Sequence, residues 1–198
     1  MLNFLDPMFL IQSVGLIGIF LIIFAETGLF FGFFFPGDSL LFTAGILASQ
    51  GYLNIYYLLI GSFIMAVLGD TFGYYFGVKV GPVIFSRENS MFFKKAHVEK
   101  TKNFYNKYGN KTIVLARFVP IVRTFAPILA GVANMKYSKF LTFNIIGGFI
   151  WSVGVTLAGY ILGNTLPSAE KYISIIIFVI VIVSVLPIIS EVVNSRKK

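Results

Sequence analysis

The chain contains no cysteine and a single histidine among its 198 residues. Disulfides and thiolate chemistry are therefore excluded, and a histidine-based metal site has little basis. His97 lies among lysines and reads as a surface residue. There is no Gly-x-Ser-x-Gly elbow and no phosphate-cradling glycine loop, so no cofactor is implied. Charge is also scarce, at 12% of residues against 57% hydrophobic, with a mean hydropathy of +0.86. A soluble domain of this length could not bury that much apolar surface. The composition is that of an all-α integral membrane protein, with residues 1–198 forming one membrane domain. The N-terminus lacks a basic n-region and a small-residue cleavage site, so its apolar run reads as a retained helix.

The net charge of +8 comes from a strongly uneven distribution. Eight of the sixteen basic residues lie between Lys79 and Lys111, and Arg196, Lys197 and Lys198 close the chain. Basic clusters flanking apolar runs mark cytoplasmic loops rather than a nucleic-acid surface. Within residues 79–111, Phe85, Phe92, Phe93, Phe104, Tyr105 and Tyr108 alternate with the basic residues. That pattern fits an amphipathic segment lying in the membrane interface, or a solvated cytoplasmic loop.

A spanning helix needs roughly 20 apolar residues. Met8–Phe30, Ile55–Val78, Phe140–Leu162 and a C-terminal run within residues 171–190 qualify, giving about four full spans. Two further apolar segments are interrupted. Phe31–Gln50 carries Phe35-Pro36-Gly37-Asp38, and Thr112–Asn134 carries Arg117, Pro120, Arg123 and Pro127. If Thr112–Asn134 crossed fully, three crossings would separate the two basic, cytoplasmic ends. Re-entry leaves two crossings and satisfies the charge rule. Pro120 and Pro127 would break a straight helix there. Broken backbone at membrane depth is tolerated where protein or a wet cavity shields it. The segment therefore reads as a re-entrant hairpin open to the cytoplasm.

An internal echo extends this to the first half. Gly73-Tyr74-Tyr75-Phe76-Gly77 recurs 86 residues later as Gly159-Tyr160-Ile161-Leu162-Gly163, and Ala44-Gly45 recurs as Ala130-Gly131. Repeat 1 then covers about residues 31–78 and repeat 2 about residues 112–163. An odd number of crossings between them makes the units inverted, with two re-entrant hairpins and both termini cytoplasmic. Paired interrupted segments in corresponding halves point to a transporter binding site.

Glu26, Asp38, Arg117 and Arg123 are ionisable groups inside apolar segments, each costly to bury. Arginine stays protonated and grips phosphate bidentately, so Arg117 and Arg123 suit an anionic headgroup. A carboxylate in a low-dielectric site exchanges its proton nearer neutrality than one in water, so Glu26 and Asp38 suit proton coupling. The alternative for the set is structural ion pairing, and for Asp38 a helix cap. Asp70 reads as a cap or as a partner of a loop lysine. The many glycines, Gly61, Gly69, Gly73 and Gly77 among them, give small faces for close helix packing.

Phe24-Ala25-Glu26 with Phe35-Pro36-Gly37-Asp38-Ser39-Leu40-Leu41, then Gly69-Asp70-Thr71-Phe72-Gly73-Tyr74, resembles the signatures of the DedA family of bacterial membrane proteins. So does Arg117-Phe118-Val119-Pro120 with Arg123-Thr124-Phe125-Ala126-Pro127, Ala130-Gly131, Phe143-Asn144 and Gly147-Gly148-Phe149-Ile150-Trp151. The similarity covers roughly residues 10–190 and extends to the VTT, or SNARE-associated, domain. Two departures keep the acid: Glu26-Thr27 stands where many members have Glu-Asn, and Asp38 where some have Glu. The resemblance implies a lipid transporter of the bacterial cytoplasmic membrane. Its cargo would be a phospholipid or undecaprenyl phosphate, in some members with dependence on proton motive force. It implies roles for Glu26, Asp38, Arg117 and Arg123, with Pro36, Gly37, Asp70, Gly73, Pro120, Pro127, Gly131 and Asn144 as structural motif positions. The expected partners are a lipid with an anionic phosphate headgroup and protons, without nucleic acid. A homo-oligomer stays open. The competing readings are an energy-independent scramblase, a structural or assembly factor, and a membrane enzyme such as a lipid phosphatase.

Overall fold

In the computed structural model, residues 7–29, 32, 35–85 and 109–165 are described. They are helices and connecting turns, with no strand among the described residues. The expected interfacial stretch within residues 86–108 and the C-terminal span at 171–190 lie outside them.

Helix α1 (Pro7–Gly28) is broken at Gly15, which adopts φ +58° and ψ −158°. Helix α2 (Gly37–Ser49) starts directly after Pro36, whose carbonyl accepts from the Leu40 N–H at 2.8 Å. It ends in a Schellman turn. Gly51, at φ +85°, donates to the Ala48 carbonyl, and the Tyr52 N–H reaches back to Leu47. Asn54 then caps α3 (Ile55–Phe85), its Oδ1 accepting from the Tyr56 and Tyr57 N–H groups at 3.0 and 3.3 Å.

Short helix α4 (Thr112–Ala116) gives way to an irregular turn at Arg117–Val119, and Pro120 opens α5 (Pro120–Val132). A proline at a first helical position loses no intrahelical hydrogen bond. Pro127, expected to break the segment, sits inside an unbroken α5. Its ring packs onto α3 at Gly73, where the missing side chain leaves room for it. A second Schellman turn closes α5, with Asn134 at φ +51° and N–H bonds from Asn134 to Gly131 and from Met135 to Ala130. Helix α6 (Tyr137–Thr165) is continuous but widens to a π-helical turn at Phe149–Val153.

The close glycine contacts fix the directions. Gly61 lies against Phe20, Gly69 against Thr27, and Gly73 beside Gly28, so α1 runs alongside α3 in the same sense and ends level with its middle. Helix α2 begins beside Glu26 at Gly37 and returns toward the start of α3. The apolar run expected to cross as Met8–Phe30 is therefore one limb of a hairpin whose other limb is α2. Helix α5 meets α3 at Gly73, Tyr74 and Gly77, and ends at the Val78 level. The Tyr74 hydroxyl donates to the Met135 carbonyl at 2.5 Å, and its ring stacks on Phe140 at 4.6 Å. Both ends of the α4–α5 hairpin thus lie at the same end of α3, where α6 begins.

The two return helices pack reciprocally. Gly131 on α5 sits on the Tyr74 carbonyl of α3, and Gly45 on α2 sits on the Thr156 carbonyl of α6. Gly77 of α3 faces Ile128, while Gly159 of α6 faces Phe42. At all four positions a Cβ would collide with backbone, which is the physical content of the repeated Ala-Gly and Gly-x-x-x-Gly pairs. The apolar cores follow the same division. Ile19, Ile23, Leu40, Leu41 and Trp151 lie in one, and Ile113, Val122, Ala126 and Phe140 in the other.

Candidate functional site

The tips of the two hairpins meet between α3 and α6, and the buried charges converge there. Arg123, on the first turns of α5, forms ion pairs with Glu26 of α1 and, at 3.3 Å, with Asp38 of α2. Asp38 also accepts from the Trp151 indole N–H at 2.5 Å. Trp151 lies in the π-helical turn of α6, and the Arg123 guanidinium stands 5.0 Å from its ring centre. A Cβ at Gly37 would fall on the Glu26 carboxylate, so a side chain there would have to displace it from its place beside Arg123.

A second node lies beside the first. The Arg117 Nη2 donates to Asp70 Oδ2 at 2.6 Å, to Asn144 Oδ1 at 2.7 Å and to the Ala66 carbonyl at 3.3 Å. Asn144 is oriented by its own amide, which donates to the Val67 carbonyl at 3.0 Å. Gly147 and Gly148 let the arginine lie flat against α6. Its guanidinium stands 5.8 Å from the Trp151 ring centre, so the indole borders both nodes.

Three carboxylates therefore face two guanidiniums. Charges buried this deeply persist only when paired. The side chains of Glu26, Asp70, Arg117 and Arg123 are at most 3% exposed, whereas Asp38 is 32% exposed. Asp38 is thus the acid through which the cluster reaches its surroundings. The pairing is also incomplete. Asp70 Oδ1, Arg123 Nε, and both Nε and Nη1 of Arg117 are buried without a hydrogen-bond partner among the described residues. Such atoms carry a desolvation cost of roughly 1–3 kcal/mol each, more for charged groups. Arg117 retains the larger unused donor capacity, since Arg123 is engaged by two acids.

The sequence profile of the VTT domain matches residues 35–161. Protein DedA of Escherichia coli strain K12 is 44% identical over 181 residues, covering 90% of this chain and 82% of that protein. An uncharacterized membrane protein of Mycobacterium leprae is 47% identical over 189 residues, covering 92% of this chain and 84% of its own. A counterpart in Mycobacterium tuberculosis strain H37Rv is 46% identical over 193 residues, covering 93% and 84%. No solved structure matches. This chain belongs to the VTT domain, or DedA, family.

It is a membrane protein, as its mycobacterial relatives are by name. Among the described residues two helices, Ile55–Val80 and Tyr137–Thr165, are long and apolar enough to cross a bilayer. Along the outer side of α3, Ile60, Ile64, Leu68 and Phe72 are all about half exposed, as suits lipid contact.

Glu26, Asp38, Arg117 and Arg123, singled out from the sequence, come together in this cluster. Asp70 departs from its expected role, for it neither caps a helix nor meets a loop lysine among the described residues. It is the partner of Arg117, because α3 carries it one helical turn from Ala66 into the interior. Asn144 is likewise more than a motif position, since it accepts from Arg117. Gly73 and Gly131 seat α5 on α3. Sequence reasoning gave Trp151 no role at the site. Its signal there is that it is the single tryptophan, standing at the end of the Gly147–Trp151 motif.

Proposed function

We propose that this chain moves a phosphate-bearing lipid across the bacterial cytoplasmic membrane, in a cycle linked to proton motive force. The observation that carries the reading is the buried Arg117 guanidinium at the meeting point of two hairpin tips, two of whose nitrogens have no partner among the described residues. A planar cation with unused donors in a low-dielectric setting suits a phosphate headgroup. Asp38, the exposed member of the cluster, suits proton exchange with Glu26 behind it. The reciprocal packing of α2 on α6 and α5 on α3 supports an inverted pair of units around a midplane site.

On this reading the basic loop end, with Lys111 and Lys136, faces the cytoplasm. The break in α1 at Gly15 then stands at the outer end with Ile55. A cytoplasmic N-terminus would require the residues before Gly15 to cross back. We read the chain as a transporter and not an enzyme, and undecaprenyl phosphate and phospholipids as the cargo candidates.

The test is reconstitution in liposomes with fluorescent phosphatidic acid, phosphatidylglycerol and phosphatidylcholine, with and without a pH gradient. Transport of the phosphate monoester without headgroup change, stimulated by the gradient, is expected. A chemically altered headgroup would make it an enzyme, and gradient-independent movement a scramblase. No movement under any condition would leave only a structural role for the ion pairs. Arg117→Lys keeps the charge and loses the planar fork, so it should impair transport more than Arg123→Lys. Wild-type rates in both would remove bidentate headgroup binding. Glu26→Gln and Asp38→Asn should abolish gradient dependence, and intact dependence in both would remove proton coupling.

A further inference from the structure

We propose that Trp151 is a positioning residue that couples the two charge nodes, a role that rests on the transport reading only for its consequence. Its indole N–H holds Asp38 at 2.5 Å, on the face where Asp38 meets Arg123. Its ring lies 5.0 Å from the Arg123 guanidinium and 5.8 Å from that of Arg117. The indole therefore borders both nodes. The polar contacts, by contrast, divide between them: Asp70 and Asn144 bond the Arg117 side, and Glu26 bonds the Arg123 side.

The backbone supports this placement. A π-helical turn adds a residue to one turn of helix and reorients the residues after it, and such turns recur at functional sites. Here it spans Phe149–Val153 and has Trp151 at its centre, with the side chain 1% exposed. Ser152 and Thr156 return their hydroxyls to the Gly148 and Ser152 carbonyls at 2.8 and 2.7 Å, which helps satisfy the widened turn. An aromatic face binds a desolvated guanidinium more strongly than an exposed one. A change at Arg123 or Asp38 therefore moves the indole, and the indole moves against Arg117. The gain over an aliphatic side chain is that protonation of an acid at one node is felt by the phosphate-binding donors at the other.

Because Trp151 is the single tryptophan of the chain, its fluorescence reports this point and no other. The full chain, purified in detergent, is compared as wild type, Asp38→Asn, Arg117→Lys and the double variant. Each single substitution should change the emission, and the double variant should differ from the sum of the two. Wild-type emission in Arg117→Lys, or strict additivity, would overturn the coupling. In liposomes, Trp151→Phe and Trp151→Leu should raise the half-saturating concentration of phosphatidic acid with little loss of maximal rate. The rise should be roughly three- to thirtyfold for Leu, the span a cation–π contact covers between exposed and desolvated settings, and smaller for Phe. Wild-type half-saturation in Trp151→Leu would also overturn it. If the wild-type protein moves no lipid, the transport reading fails, and the emission comparison still decides the coupling.

Discussion

Neutralising Asp70 should cost far more stability than neutralising Glu26 or Asp38, because the two arginines differ in how many acids they hold. Among the described residues Arg117 has one carboxylate partner, Asp70, at 2.6 Å, and its remaining hydrogen bonds go to an amide and a backbone carbonyl. Asp70→Asn leaves a buried guanidinium without a counter-charge. Breaking a buried pair in this way costs roughly 3–5 kcal/mol. At about 2–4 °C per kcal/mol for a chain of this size, the melting temperature should fall by roughly 6–20 °C. Arg123 has two carboxylate partners, so Glu26→Gln or Asp38→Asn leaves a balanced one-to-one pair. The loss there is closer to one hydrogen bond, about 0.5–1.5 kcal/mol. Melting followed by circular dichroism in detergent separates the cases. Adding Arg117→Gln to Asp70→Asn should recover much of the loss by removing the unpaired charge. The reasoning fails if Asp70→Asn melts with the wild type, if Arg117→Gln gives no recovery, or if Glu26→Gln is as damaging as Asp70→Asn.

Sidedness is testable because the chain is naturally free of cysteine. Single cysteines at Lys111 and Lys136 should be labelled from the cytoplasmic side, and one at Tyr52, 71% exposed in the turn before α3, from the other. Labelling of Lys111 and Lys136 positions from opposite sides would rule out re-entry. Gly131→Ala and Gly45→Ala both drive a Cβ into a facing backbone carbonyl, so each should lower stability by roughly 1–3 kcal/mol, read as thermal melting. Gly154→Ala, where a Cβ meets nothing, is the control and should melt with the wild type. Tyr74→Phe removes the donor to the Met135 carbonyl and should cost about 0.5–1.5 kcal/mol, again by melting.

Charge and glycine patterns carried most of what was legible in the sequence. Helix packing in lipid relies on small residues, so the Ala-Gly and Gly-x-x-x-Gly echoes mark where α2 and α5 rest on the long helices. Ionisable residues inside apolar runs are rare enough to be conspicuous, and four of the five charged groups at the site stood out on that ground. Asp70 was harder because it lies near the end of an otherwise clean apolar run, where a cap or a loop partner explains an acid equally well. What decides its role is the depth at which Arg117 stops, and that depends on the irregular turn at Arg117–Val119. Pro127 misled for a related reason. A proline's cost inside a helix depends on whether neighbours can accommodate its ring and the freed carbonyl, and the neighbour here is a glycine on another helix. The partner of α2 was likewise hidden. Apolar continuity through Phe30 and Phe31 conceals the end of α1, and its depth emerges only from the contacts of Gly28 with Gly69 and Gly73.

The uneven exposure of the acids constrains how a transport cycle could run. On the proposed reading a proton arriving from water would reach Asp38 first, since Glu26 is sealed behind Gly37 and Arg123. Protonating Asp38 weakens its hold on Arg123 but leaves Glu26 in place, so Arg123 stays neutralised. The same event changes the acceptor of the Trp151 N–H and hence the ring against Arg117. In the proposed cycle the order of events would run from Asp38 through the indole to Arg117, with Arg123 held throughout by Glu26. This order makes the two arginines unequal in a measurable way: substitutions at Arg117 should act mainly on lipid affinity, and those at Arg123 mainly on gradient dependence. If both arginines instead affected affinity and gradient dependence to the same degree, the cluster would have to act as one undivided site, and the ordered scheme would be wrong.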